Sequence, residues 1–209
     1  MNNELLFIIH TLLIGLITQY AIIKKNKQLL TLLFSIFFII INIFSHLTTT
    51  LFGITTTRVE PFAVGLFWIS IYCFRLFGND GRNAIIQSMW YTSGIYLGSY
   101  SVIHSYNKNC FFDSGFLEAP LSIIISMITF YIVYYCEQKI YMYCSKKFTS
   151  YNSQLISTLS GQILDSTIFS LLFFGFRKQI HEVFSIIIFS IIIKLLCIII
   201  NSIIERNTN

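Results

Sequence analysis

Charge is scarce in this 209-residue chain: Asp, Glu, Lys and Arg together make up 11% of it, less than half the share a water-soluble domain carries on its surface. That scarcity excludes an ordinary soluble globule. Proline is nearly absent, with Pro61 and Pro120 the only two, so little interrupts the long apolar stretches. Cysteines number five and are scattered at Cys73, Cys110, Cys136, Cys144 and Cys197 without a CxxC or Cys/His spacing; this indicates neither a disulfide framework nor a zinc site. Also missing are HExxH, a glycine-rich phosphate loop, a GxSxG elbow and paired carboxylates, which leaves an enzyme without an evident constellation and no cofactor set to hold.

What fills the chain is apolar. Residues of the AVILMFWYC set are 55% of it, and the mean hydropathy is +0.72. A membrane helix needs about 20 apolar residues, so the length predicts an all-α, polytopic helical membrane bundle of six to seven transmembrane helices, forming one domain over 1–209 with the lipid bilayer as its surroundings. The spans are predicted over about 5–23, 29–52, 61–77, 84–102, 120–135, 155–174 and 183–204. The first follows Met1-Asn2-Asn3-Glu4 and runs into lysines without a small-residue cleavage site, the pattern of a retained span rather than a signal peptide. Gly78-Asn79-Asp80-Gly81 is predicted to turn between the third and fourth.

The formal charge of +5 does not point to nucleic acid, which would require a continuous basic face with aromatic platforms. The cations fall in short runs beside apolar segments instead. Lys24, Lys25, Lys27, Arg82, Lys139, Lys146, Lys147 and Arg206 stand on one side of a seven-span topology, against Arg58, Lys108, Arg177 and Lys178 on the other. By the positive-inside rule the N-terminus is expected outside and the C-terminus in the cytoplasm.

Polar groups within apolar spans are the functional candidates, because burying them in lipid is costly unless they find partners. Gln162, Asp165, Ser166 and Phe169 recur at three and four spacing in the sixth span and share one helix face. They suit a ligand with a polar edge and a flat ring, and they equally suit a polar seam between helices. Lys194 lies near the middle of the last span at a depth comparable to Asp165, and the two are expected to pair, as a functional ion pair or a structural one. Asn42 and His46 lie four apart on one face of the second span. Glu60, Arg75, Glu137 and Gln138 are placed near span ends, where solvated charges belong.

Several of these pieces occur in an arrangement that resembles the VUT family, the YhhQ-type queuosine precursor transporters. They are Asn42, Glu60-Pro61-Phe62-Ala63-Val64-Gly65, Arg75-Leu76-Phe77-Gly78 with Arg82, Gly161-Gln162-Ile163-Leu164-Asp165-Ser166-Thr167-Ile168-Phe169, and Ile193-Lys194-Leu195. The chain departs from the family pattern at Arg75 and around Cys136 and Gln138. The resemblance implies a bacterial inner-membrane importer, not an enzyme, for 7-deazaguanines such as preQ0, preQ1 or queuine. The heterocycle is expected to bind through Gln162, Asp165, Ser166, Phe169 and Lys194, with Asn42, His46 and Glu60 also contributing. A substrate-capture subunit of an energy-coupling-factor importer and a non-transporting membrane scaffold are the alternatives. Self-association and an energising partner module stay open.

Overall fold

A computed structural model describes residues 3–44, 48–51, 54–106, 114–175 and 179–208. In hydrocarbon every backbone polar group must be bonded within the segment, so apolar stretches of this length fold as helices. The helices are α1 (Asn3–Ile23), α2 (Lys27–Phe44), α3 (Glu60–Tyr106), α4 (Ser114–Cys144), α5 (Ser150–Phe174) and α6 (Ile180–Thr208). Among the described residues six helices are long and apolar enough to cross a membrane. The expected helical bundle is thus observed.

Local chemistry sets the turns. Lys25 adopts a left-handed conformation (φ 48°), and Asn26 then starts α2, its Oδ1 accepting from the amides of Gln28 (2.9 Å) and Leu29 (3.2 Å). These bonds satisfy two amides that the first turn leaves without a helical partner. At the start of α5, Thr149 Oγ1 accepts from the Asn152 amide at 3.3 Å.

Helix α3 holds 47 residues, which would be about 70 Å if straight, more than twice the hydrocarbon thickness. It is not straight. Gly78 has φ 58° and ψ −135°, a conformation strained for any residue with a Cβ. Before it, Phe67 packs on Phe130 with centroids 5.5 Å apart, the Tyr134 hydroxyl donates to the Ser70 carbonyl at 3.4 Å, and Phe74 meets Tyr141 at 6.4 Å, so this arm runs parallel to α4. Beyond it, Arg82 lies over the Tyr135 ring at 5.8 Å, while Met89 and Leu97 share a groove with Ile124, Ile128 and Ile132. That arm runs antiparallel to α4. The chain therefore reverses at Gly78, as the Gly78–Gly81 turn predicts, and among the described residues the six helices supply seven helical arms. Gly81 makes the reversal tight, since a Cβ there would overlap the Cys73 carbonyl.

The second span is shorter than expected. Helix α2 ends at Phe44 rather than near residue 52, and a two-stranded ribbon follows, β1 (Thr48–Leu51) and β2 (Ile54–Thr57), paired antiparallel with Thr48 opposite Thr57. Threonine is β-branched and loses side-chain freedom in a helix, so two threonine runs beside a glycine favour a hairpin. β1 contacts α1 and β2 contacts α6, which puts the ribbon at the end of the bundle where α2 stops and α3 starts. The fifth span is longer than expected, because α4 continues to Cys144; Glu137 and Gln138 are buried within it, not solvated at its end.

The core is aromatic, built from Phe34, Phe37, Phe38, Phe67, Trp68, Phe130 and Tyr134 between α2, α3 and α4. Large apolar side chains such as Leu13, Leu16, Tyr91, Ile95, Ile128 and Ile188 are exposed, as suits a surface facing lipid. Gly81→Ala is expected to lower the unfolding free energy by about 2 kcal/mol through overpacking against backbone, whereas Gly98→Ala, in open space, should cost nothing. Thermal unfolding of the two variants in detergent checks this, and equal midpoints would contradict the tight reversal.

Candidate functional site

Helices α3, α5 and α6 each bring one charged side chain to a common point. Glu60 is the first residue of α3, Asp165 stands fifteen residues into α5, and Lys194 fourteen residues into α6. The Lys194 amine donates to Asp165 Oδ2 at 2.7 Å and lies 3.6 Å from Glu60 Oε2. The Asp165–Lys194 pair expected from depth alone is formed, and Glu60 joins it. Glu60 is thus buried at 5% exposure rather than interfacial.

Hydroxyls close the arrangement. Ser190, one helical turn before Lys194, donates to Glu60 Oε1 at 3.0 Å and shares a hydrogen bond with Ser166 at 3.2 Å. Because Ser166 follows Asp165 directly, the contacts form a ring running Asp165, Lys194, Glu60, Ser190 and Ser166. One ammonium between two carboxylates offsets part of the burial cost of all three. Within this group the Asp165 side chain is the most open, at 18% against 5% for Lys194 and 7% for Glu60. It is the charged group best placed to meet a ligand.

The ring borders a chamber of about 80 Å³. Asn42, Glu60, Asp165, Ser166, Phe169 and Lys194 all line it, so six of the eight expected site residues come together. Asn42 is fixed by donating to the Phe38 carbonyl at 2.8 Å, and its Oδ1 accepts from Ser122 at 3.5 Å. Phe38, Phe67, Phe130 and Phe174 add apolar walls. Phe169 is already stacked on Phe173, with centroids 5.3 Å apart, which steadies its ring at the chamber wall. Such a mixture of aromatic wall and few convergent polar groups is the usual composition of a small-molecule site. The volume is well below the roughly 300 Å³ at which sites begin to hold a drug-sized ligand, so a bicyclic base would enter only after the walls part.

Two expectations differ. Gln162 shares the α5 face but not the chamber: it is buried one turn below Ser166, with neither amide atom bonded. His46 lies outside the described residues. Ser190 and Ser170 join the lining from outside the sequence candidates, and each stands four residues from one of them, Lys194 and Ser166 respectively. No family model, no characterised protein and no solved structure matches the chain.

Removing the ammonium would leave two buried carboxylates facing each other. Lys194→Met is therefore expected to cost about 3 kcal/mol or more in stability, and adding Asp165→Asn should recover part of that loss. A double-mutant cycle by thermal unfolding measures the coupling; additive losses would show that the pair is not energetically linked.

Proposed function

We propose that this protein imports a small planar heterocycle across the bacterial inner membrane, the substrate class being the 7-deazaguanine precursors of queuosine. The observation that carries the reading is the Glu60–Asp165–Lys194 group at the wall of a phenylalanine-lined chamber inside a membrane bundle. Charged side chains at that depth are expensive, and where several converge inside a bundle they commonly mark a solute path. The order and spacing of Asn42, Glu60, the 161–169 stretch and Lys194, which resemble the VUT family, supply the substrate class.

Orientation follows from the cations. Lys24, Lys25, Lys27, Arg82, Lys139, Lys146 and Lys147 fall at one end of the helical arms, which by the positive-inside rule supports a cytoplasmic assignment of that end, with the N-terminus outside and the C-terminus inside. The chamber lies nearer the other end. Its lining includes Asn42 close to the end of α2, the first residue of α3 and the last of α5. An extracytoplasmic solute would thus reach it by a short route past the ribbon, with the Asp165 carboxylate accepting from ring and exocyclic N–H groups and Asn42 reading a neighbouring acceptor or donor.

In a bacterial strain unable to make its own queuosine precursors, expression of this chain with preQ1 or queuine in the medium is expected to restore queuosine in tRNA. Asp165→Asn, at equal abundance in the membrane, should reduce that restoration at least about tenfold, the loss of one charge-assisted contact. Queuosine levels that do not depend on the chain would refute the reading.

A further inference from the structure

Below the chamber the polar face of α5 does not end. Gln154, Thr158, Gln162, Ser166 and Ser170 recur every four residues and all are buried, none above 3% exposed. Ser166 and Ser170 belong to the chamber. The lower members face α4 at Glu137, where Gly161 lets the carboxyl lie against the helix: a Cβ at Gly161 would stand 3.3 Å from Glu137 Cδ.

Glu137 is fully buried and neither of its oxygens has a hydrogen-bond partner. Thr158 faces that carboxyl without reaching hydrogen-bond geometry, and its own hydroxyl is otherwise unbonded. Both amide atoms of Gln162 are also without partners. The two oxygens of Glu137 and Thr158 Oγ1 thus meet at one point, and the unbonded amide of Gln162 stands one turn further along the same face of α5. Native interiors rarely leave such groups unmet, because each has given up its hydration without gaining a bond in return.

Charged neighbours do not serve Glu137. Asp165, from α5, bears the same sign and is held by Lys194 at 2.7 Å. Arg75, reaching the stripe from α3, is committed to Gln154 Oε1 at 2.8 Å and to the face of Tyr72 at 5.2 Å.

We propose that Glu137, Thr158 and Gln162 form a site for one small monovalent cation, sodium, on the far side of Gln162 from the Lys194 chamber. Carboxylate, amide and hydroxyl oxygens are the ligands a hard cation takes. Charge decides the valence. One carboxylate neutralises a single positive charge, whereas a divalent ion would leave a net charge in the membrane interior; among the described residues no group of three His, Cys, Asp or Glu side chains gathers to hold one. Gln162 connects the two levels, since it stands one turn below Ser166 and beside Asp165 in the same helix. An ion drawn onto its oxygen fixes α5 against α4 directly beneath the chamber, which is the arrangement a coupling ion needs. The coupling role rests on the transport reading, while ion binding does not.

The test therefore uses the full-length protein in detergent with no substrate. Thermal unfolding is followed by the fluorescence of Trp68 and Trp90 while sodium chloride replaces choline chloride at constant pH and ionic strength. The expected result is a saturable rise of the midpoint with sodium, lost in Glu137→Gln. In Thr158→Val, which keeps the test available should the first variant not fold, the half-saturating concentration should rise about tenfold. Identical midpoints in sodium and choline would overturn the site, as would a sodium response that survives Glu137→Gln or stabilisation by acid alone. A bound ion with no uptake of any deazaguanine would leave the site standing and refute the transport reading instead.

Discussion

A lysine amine in the middle of a membrane helix must be neutralised where it stands, and Lys194 is neutralised by carboxylates from two other helices. Lipid gives no alternative, because an unpaired charge at that depth costs several kcal/mol. The 2.7 Å contact to Asp165 and the 3.6 Å approach of Glu60 therefore fix the start of α3, the middle of α5 and the middle of α6 relative to one another. Much else follows from that constraint. Glu60 can reach Lys194 only if α3 begins deep against α6, and α3 begins there because α2 stops at Phe44 and the threonine ribbon brings the chain back along the end of the bundle.

Two polar levels result, and α5 carries both. Its upper residues, Asp165, Ser166 and Ser170, border the chamber, while Gly161 and Thr158 below them meet Glu137 on α4. The levels differ in how well they are satisfied. In the upper one each charge has a partner and the serines bridge what remains; in the lower one carboxylate, amide and hydroxyl oxygens are unbonded. A bundle with one charge-paired chamber and one oxygen-rich cluster, joined along a single helix, has the parts for a solute and an ion to influence each other.

The membrane bundle was legible in the sequence because hydrocarbon allows few solutions: uninterrupted apolar runs become helices, and their length sets their number. The Asp165–Lys194 pair was legible for a related reason, since two opposite charges at one depth in consecutive spans have little choice. Glu60 was harder. Its place near a helix start is also where solvated acids belong, and only the packing of α3 on α6 buries it. Glu137 misled for the mirror-image reason: Lys139 beside it marks a span end, yet α4 continues to Cys144 and keeps the carboxyl inside. Gln162 shows the limit of helical spacing, which gives direction around the axis and height along it but not where a cavity ends; one turn separates a residue in the chamber from a residue beneath it. The threonine ribbon was hidden because hydropathy alone does not separate a membrane helix from a short apolar strand.

The central claim is that the Lys194 chamber opens and takes a flat heterocycle. A single cysteine at Ser170→Cys, in a protein whose other cysteines are replaced, reports on this directly through its rate of labelling by a membrane-impermeant thiol reagent added from the extracytoplasmic side. The account predicts that the cysteine is labelled and that saturating preQ1 or queuine slows the labelling at least severalfold, while a flat aromatic without the amide and amine edge does not. A labelling rate indifferent to the deazaguanines would contradict it.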